Sequence, residues 1–281
     1  MYILDLPSEI QFIIIYYIKQ GNYLDLAPLA ETCSYYKKLL SFNTNWNNTI
    51  KIIQPKNKGN LDYLIDSINQ QKSINFKSLE CQVLDLQLSR LTFNILNKST
   101  HNLRVIQICL PFELHAQLYQ TLACLSTQLT HLSIRDSACE YKVTTKAKAC
   151  LLPLFGSQST LQTLDIPTFP SHELCHHRIY YTFPQLQSLT IALGHPLPWD
   201  HFKYMFPNLI QLTLVLTHLD QWQTVKSLLY HTSFFPWFKR LSIVSREPLK
   251  QHVSKEELKS SLLRLEGLNR ITAGWDIIAL V

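Results

Sequence analysis

Residues 129–134 read Leu-Thr-His-Leu-Ser-Ile, and the spacing of their apolar residues recurs along most of the chain. The apolar residues occupy the first, fourth and sixth positions, with polar residues between them. The last two apolar residues are two positions apart, so they lie on one face of a β-strand and the residues next to them lie on the other. Each copy of this pattern therefore predicts a strand with one buried face and one polar face.

Seven further copies of the pattern flank this one. They span residues 81–86, 103–108, 161–166, 186–191, 209–214, 238–243 and 268–273, and the first and last of these are weak matches. An apolar run at residues 49–53 predicts one more strand ahead of them. The copies begin about 27 residues apart on average, a period typical of proteins built from repeated strand–helix units.

The segments between the copies change to a helical spacing. Apolar residues recur every three or four positions in residues 61–68, 114–125, 222–229 and 258–265, which predicts amphipathic helices with one buried stripe. Phe-Pro pairs at 183–184, 206–207 and 235–236 precede three of the copies. Their prolines end a helix and favour an extended entry to the strand. Alternating strands and helices predict a parallel sheet with right-handed crossover connections.

We predict an α/β solenoid of about eight or nine repeats over residues 49–281. It would be a curved arc with a parallel sheet on its concave face and helices on its convex face. The pattern resembles the cytosolic leucine-rich-repeat family, and leucine accounts for 48 of the 281 residues. That family often has Asn or Cys three residues after the last apolar strand position, whereas this chain has neither there, so its repeats are degenerate. An ordinary α/β domain with leucine-rich strands is the alternative.

Residues 1–48 do not follow the repeat, and they predict a short domain of three helices. The first helix begins at Leu6-Pro7-Ser8-Glu9-Ile10, where proline suits the first helical position. Gly21-Asn22 ends this helix, and Asp25 can cap the second one. The segment resembles the F-box through an ordered set of residues: Leu6-Pro7, Glu9-Ile10, Ile14, Tyr17, Ile18, Asp25-Leu26, Leu29, Cys33, Leu39 and Trp46.

An F-box followed by leucine-rich repeats is similar in layout to the substrate receptors of Skp–cullin–F-box ubiquitin ligases, among them small fungal proteins. The resemblance implies a non-catalytic subunit that docks on a Skp-type adaptor and, through it, on a cullin–RING ligase. It also implies that the repeat face binds a protein substrate destined for degradation. The adaptor-binding residues that it implies are Leu6, Pro7, Ile10, Ile14, Leu26, Leu29 and Cys33.

A second argument for a partner comes from the apolar residues around the first helix. Phe12, Ile13 and Ile15 extend its apolar surface beyond one stripe, and a segment of under fifty residues cannot bury every side of such a helix. Two alternatives stay open. The chain could be a free-standing repeat scaffold whose N-terminal helices cap the solenoid, or an F-box protein that uses the adaptor outside a ligase. Exposure of Leu6, Pro7 and Ile10 would argue against the cap.

The predicted concave face is mostly small and polar, which suits a protein or peptide ligand that is recognised by hydrogen bonds and a few charges. The candidate substrate-binding residues are Gln107, His131, Arg135, Asp165, Gln211 and Arg240. A solvated sheet face without a ligand is the alternative. Asp165, His131 and Ser133 come from different repeats, and the pattern supplies neither an oxyanion hole nor an oriented base. We therefore expect no enzymatic activity.

The composition argues against several other classes of function. The 6 glycines are scattered, which excludes the clustered glycines of phosphate-binding loops and dinucleotide fingerprints. The net charge is +6, but the basic residues form no dense stripe along the sequence, so we expect no nucleic-acid partner. The 7 cysteines form no Cys-x-x-Cys pair, and Cys175-His176-His177 are too close in sequence to share an ion, so we expect no metal and no cofactor. Apolar stretches are too short to span a membrane or to form a signal peptide, which predicts a cytoplasmic or nuclear protein.

Overall fold

The described part of the chain is built around one parallel β-sheet. A computed structural model describes residues 6–7, 11, 14, 49–52, 68–69, 72–83, 86–99, 102–125, 129–136, 160–166, 182–193, 202, 204–216, 221–230, 239–245 and 270–273. In these residues the sheet has nine strands, each paired with the next one along the chain. This order of parallel strands is compatible with the α/β solenoid that the repeat predicts.

The strands and helices have the following bounds. The strands are β1 (Thr49–Ile52), β2 (Ser78–Gln82), β3 (Val105–Leu110), β4 (His131–Asp136), β5 (Thr163–Ile166), β6 (Ser188–Leu193), β7 (Gln211–Leu216), β8 (Arg240–Ser245) and β9 (Arg270–Ala273). The helices are α1 (Leu86–Asn97), a 3-10 turn (Phe112–Leu114) followed directly by α2 (His115–Cys124), and α3 (Trp222–Tyr230). The strand predicted at 49–53 is confirmed as β1, and the helices predicted at 114–125 and 222–229 are confirmed as α2 and α3.

Alternate strand residues form the core, as the repeated pattern predicts. In β4, Leu132 and Ile134 are fully buried, and they are in register with Ile106 and Ile108 of β3. The same buried register continues through the next four strands, so each strand adds its apolar pair to one continuous core. Truncation of one of these residues to alanine leaves a cavity, so it should lower the free energy of unfolding by about 2–5 kcal/mol.

The helices α1 and α2 pack on the buried face of the sheet. Thr92 of α1 contacts Cys81 of β2, with 2.9 Å between Oγ1 and Sγ. Helix α2 adds Leu118, Tyr119 and Leu122 to the same core. The opposite face of the sheet, which carries the alternate residues of each strand, is called the polar face below.

Two of the Phe-Pro pairs, at 183–184 and 206–207, form tight turns that lead into strands. The Leu186 N–H donates to the Phe183 carbonyl at 3.2 Å, and the Leu209 N–H donates to the Phe206 carbonyl at the same distance. Each is a β-turn with proline at its second position, where the fixed φ of proline is favourable. The two phenylalanine rings are fully buried and stack with their centroids 5.7 Å apart. The pairs therefore position neighbouring repeats relative to each other.

Polar side chains link neighbouring repeats just before the strands begin. Asn102 Nδ2 donates to Asn75 Oδ1 at 2.7 Å, and Asn208 Nδ2 donates to the Pro184 carbonyl at 2.7 Å. Thr160 Oγ1 donates to the Leu129 carbonyl at 2.9 Å. These side-chain bonds lie on the amino-terminal edge of the sheet. The Asn or Cys positions of the resembled family, whose absence defined the repeats as degenerate, lie after the strand instead.

The first predicted copy of the pattern, at residues 81–86, has the wrong register. The strand is β2, and its buried residues Leu79 and Cys81 are in register with Ile106 and Ile108. The first apolar position of this repeat is therefore Phe76, five residues earlier than predicted. The apolar residues continue past the end of the strand to α1, which begins at Leu86, and this continuity concealed the change from strand to helix.

Several predictions fall outside the described residues. Of the first 48 residues the structure describes Leu6, Pro7, Gln11 and Ile14, and the last two are helical. The rest of the predicted three-helix domain lies outside the described residues, as do the helix at 258–265, the Cys175-His176-His177 run and most of the helix at 61–68. The boundary between residues 48 and 49 stays a prediction.

Candidate functional site

The polar face of the sheet is the candidate site, and its residues form rows across the strands. The second row is hydrophilic at every described position, and it consists of Lys51, Glu80, Gln107, Ser133, Asp165, Thr190, Thr213, Ser242 and Thr272. The first row, one pleat earlier, contains His131, Gln211 and Arg240, and the third row contains Arg135. The structure thus places all six predicted substrate-binding residues on this face.

Among the described charged side chains of the polar face, that of Asp165 is the most enclosed. Its Oδ2 accepts three hydrogen bonds, from Ser133 Oγ at 2.9 Å, Arg135 Nη2 at 3.0 Å and Arg135 Nε at 3.2 Å. Ser133 is its register partner on β4, and Arg135 lies two residues further along the same strand. The Asp165 side chain is 11% exposed, whereas that of Arg135 is 58% exposed. The ion pair therefore orients Arg135 and neutralises the carboxylate within the sheet.

A second ion pair lies within the second row, at its β1 end. Lys51 Nζ is 3.1 Å from Glu80 Oε1, and the two residues are register partners on β1 and β2. Opposite charges at directly facing positions stabilise neighbouring strands. Both side chains are partly exposed, so the pair contributes less than about 1 kcal/mol.

Arg240 differs from the other cations of the polar face. Its side chain is exposed, and it forms no ion pair among the described residues. Its neighbours in the face are Gln211 in the first row and Ser242 in the second row, both half-buried. The charge of Arg240 is therefore available to a ligand.

The third row changes from polar to apolar along the sheet. It runs from Gln82 and Cys109 through Arg135 on the early strands to an apolar part on β6, β7 and β8. Ala192 and Val215 of the apolar part are buried, but Val244 is 43% exposed. The sequence pattern gave a signal for Val244, because it is the next alternate residue after Arg240 and Ser242 on β8, but it was not among the predicted residues.

The described contacts do not assemble the Ser133, His131 and Asp165 side chains into a catalytic triad. The Ser133 hydroxyl donates a hydrogen bond to Asp165. His131 Nδ1 lies 2.9 Å from the hydroxyl of Thr130, its neighbour in sequence. A serine nucleophile needs a hydrogen bond to its base, and the described contacts contain none between Ser133 and His131.

The start of the first helix is the second candidate site, because the predicted adaptor contacts begin there. Leu6 and Ile14 are half-buried and Pro7 is exposed. Gln11 is buried, its Nε2 donates to the Leu6 carbonyl at 2.6 Å, and its backbone N–H donates to the Pro7 carbonyl at 3.1 Å. Gln11 thereby holds Leu6 and Pro7 at the helix entry. Its signal in the sequence was a polar residue four positions after Pro7 in an apolar helix. The remaining predicted contacts, Ile10, Leu26, Leu29 and Cys33, lie outside the described residues.

In the described part of the chain, no three or more His, Cys, Asp or Glu side chains are grouped closely enough to hold a metal ion. None of the helices formed by described residues has the length and apolar character needed to cross a membrane. Comparisons with protein-family models, with curated proteins and with solved structures found no match to this chain.

Proposed function

We propose that the chain is the substrate-recognition subunit of a Skp–cullin–F-box ubiquitin ligase. In this proposal the residues before 49 form an F-box that docks on the Skp-type adaptor. The nine-stranded sheet is the inner face of a leucine-rich-repeat arc, and the polar face binds a protein substrate. The chain acts by tethering, since holding a substrate near a ubiquitin-loaded enzyme raises its effective concentration without new chemistry.

The observation that carries the proposal is the accessibility of the first helix entry. Pro7 is exposed and Leu6 is half-buried, although both belong to an apolar segment. These two residues are accessible to a partner, and a partner that covered them would bury their apolar surface. The hydrogen bonds from Gln11 to the carbonyls of Leu6 and Pro7 fix this surface in place before a partner binds.

The size and polarity of the sheet face support the second half of the proposal. Nine strands at a spacing of about 4.8 Å make a face about 38 Å wide. A stable protein interface buries about 800 Å² on each partner, which a face of this width can supply. Its many neutral hydrogen-bonding groups and few charges suit recognition of a polypeptide.

The competing proposal, a helical cap on a free-standing scaffold, rests on a different observation. Gln11 is buried, and Ile14 is half-buried, so one side of the first helix is covered within the chain. A helix can be covered on one side and bind a partner on the other, so the two proposals differ in what Leu6 and Pro7 do. In the cap proposal these residues contribute to stability, whereas in the ligase proposal they contribute to adaptor binding.

The test is co-expression of the full chain with a Skp-type adaptor, followed by size-exclusion chromatography. We expect a stoichiometric complex with the natural sequence. The double variant Leu6→Ala, Pro7→Ala should lose the complex while its melting temperature stays within about 2 °C. The matched control is Tyr204→Ala, which removes a side chain that is 58% exposed elsewhere on the surface, and it should keep the complex.

Two results would contradict the proposal. One is a full-length chain that stays free of the adaptor. The other is a double variant that loses about 2–5 kcal/mol of stability, the cost of truncating buried apolar residues, because this would assign Leu6 and Pro7 to a packed cap.

A further inference from the structure

We propose that the part of the polar face on β7 and β8 binds an extended acidic segment of the partner protein. One carboxylate of the segment pairs with Arg240, and an apolar side chain of the segment packs on Val244. This inference rests on the proposed function in one respect, because it specifies the substrate chemistry that the same face selects.

The distribution of charge singles out Arg240. Lys51 is paired with Glu80 and Arg135 is paired with Asp165, so the charges of these two cations are compensated within the sheet. Arg240 is exposed and forms no ion pair among the described residues.

The groups around Arg240 favour an anion as well. Gln211 and Thr213 on β7 and Ser242 on β8 are neutral hydrogen-bonding side chains on the polar face. The described residues that β6, β7 and β8 contribute to this face include no Asp or Glu. A carboxylate can therefore approach Arg240 without repulsion from a neighbouring acid, and charge-assisted hydrogen bonds to arginine are among the stronger ones.

The preference for an apolar side chain in the ligand comes from Val244 on the same strand. Arg240 and Val244 are four residues apart on β8, so their side chains share a face about 13 Å apart. An extended ligand aligned with the strand has the same spacing, because its own residues i and i+4 also point to one side. The face therefore selects a carboxylate and an apolar side chain separated by three residues.

A peptide fits this part of the face better than a nucleic acid does. Single-stranded nucleic acids are held by aromatic side chains that stack on bases, together with several cations along the backbone. The described side chains of the polar face include no Phe, Tyr or Trp, and Arg135 and Arg240 are the arginines among them, of which Arg240 has no ion pair. An acidic polypeptide segment needs neither stacking nor a long basic track.

The first step of the test is selection from a random eight-residue peptide display library on the full-length chain. We expect enrichment of peptides with Asp or Glu and an apolar residue four positions away. Two enriched peptides are then synthesised with a fluorescent label, each beside a partner in which the acid is replaced by its amide. Fluorescence anisotropy should show binding about tenfold weaker for the amide peptides, as expected for loss of one charge-assisted contact.

The second step compares variants of the chain. Arg240→Gln should weaken binding of the acidic peptides about tenfold, Arg240→Lys should weaken it less, and Val244→Ser should weaken it about threefold. The matched control is Arg90→Gln, which removes an exposed arginine from α1 on the other side of the sheet, and it should change the affinity by less than about twofold. Circular dichroism and thermal melting establish that each variant is folded.

Several outcomes would overturn the inference. They are enrichment of peptides without an acidic preference, no enrichment of any peptide, equal losses of affinity in Arg240→Gln and Arg90→Gln, or tighter binding of a labelled single-stranded oligonucleotide at the same residues. These outcomes are independent of the adaptor experiment. A chain that binds the adaptor but shows no acidic preference keeps the proposed function, and one that selects acidic peptides without binding the adaptor keeps the inference.

Discussion

Replacing Cys81 should make the protein less sensitive to alkaline pH. The Cys81 thiol is buried between β2 and α1, where its Sγ lies 2.9 Å from Thr92 Oγ1. The single hydroxyl proton of Thr92 is donated to the Leu88 carbonyl at 2.8 Å, so the thiol is the donor to Thr92. Burial raises the pKa of Cys81 most, the hydrogen bond with Thr92 lowers it and the nearby thiol of Cys109 raises it, and together they move it from its ordinary 9.0 to about 12.

The sign and size of the effect follow from these two pKa values. As the pH rises above 9.0, the unfolded chain releases the Cys81 proton while the folded chain keeps it until about pH 12. The unfolded state then binds fewer protons than the folded state, so the free energy of unfolding falls as the pH rises through this window. At pH 10 the thiol of the unfolded chain is about ten-elevenths ionised, which lowers the free energy of unfolding by about 1.4 kcal/mol relative to pH 7.

The assay is urea unfolding in the presence of a reducing agent, followed by tryptophan fluorescence at pH 7 and pH 10. Cys81→Ala should cost about 1–2 kcal/mol at pH 7 through the lost hydrogen bond and packing. Because the variant lacks the alkaline penalty, its deficit should shrink by about 1.4 kcal/mol at pH 10. The control is Cys124→Ala, since Cys124 is exposed, and its difference from the natural sequence should not change. A deficit of Cys81→Ala that is the same at both pH values would refute the reasoning.

Three further predictions follow from single contacts. Tyr119→Phe should raise the free energy of unfolding by about 1 kcal/mol in urea, because the Tyr119 hydroxyl is buried without a hydrogen-bond partner in the described part of the chain. Asn102→Ala should lower the free energy of unfolding by about 0.5–1 kcal/mol through loss of the bond to Asn75, and a double-mutant cycle with Asn75→Ala should give a coupling energy of similar size. Asp165→Ala should lower the free energy of unfolding by about 1–2 kcal/mol. A double-mutant cycle of Asp165→Ala with Arg135→Gln should give a coupling energy of about 1 kcal/mol, which should decrease with added salt.

The alternation within each repeat made the strands predictable. One face of each strand is buried, so a shift of one residue would move every leucine to the polar face. This constraint placed β3 to β8 correctly from the pattern of residues such as Leu132 and Ile134. The same alternation assigned Arg240 and Asp165 to one face, and the parallel register then fixed which residues face each other across strands.

The sequence was less informative where apolar residues continue without alternation. Between Cys81 and Leu88 the strand ends and α1 begins within a few residues, and a short apolar run does not distinguish a strand from a helix. The side-chain bonds between repeats were also missed, because Asn75 and Asn102 are ordinary polar residues until the register brings them together. Recognising them requires aligning the repeats on Phe76 instead of Cys81.

Ion pairing between strands determines which residues of the polar face can discriminate between ligands. Asp165 is enclosed by Ser133 and Arg135, so a partner can gain its full charge only by displacing those donors. The hydrogen bonds that it would break are about as strong as those that it would form, so the net gain is small. The same reasoning applies to Arg135, whose guanidinium already has an anion beside it. Selectivity for charge must then come from a residue whose counter-charge the ligand itself supplies, and Arg240 meets this condition among the described residues.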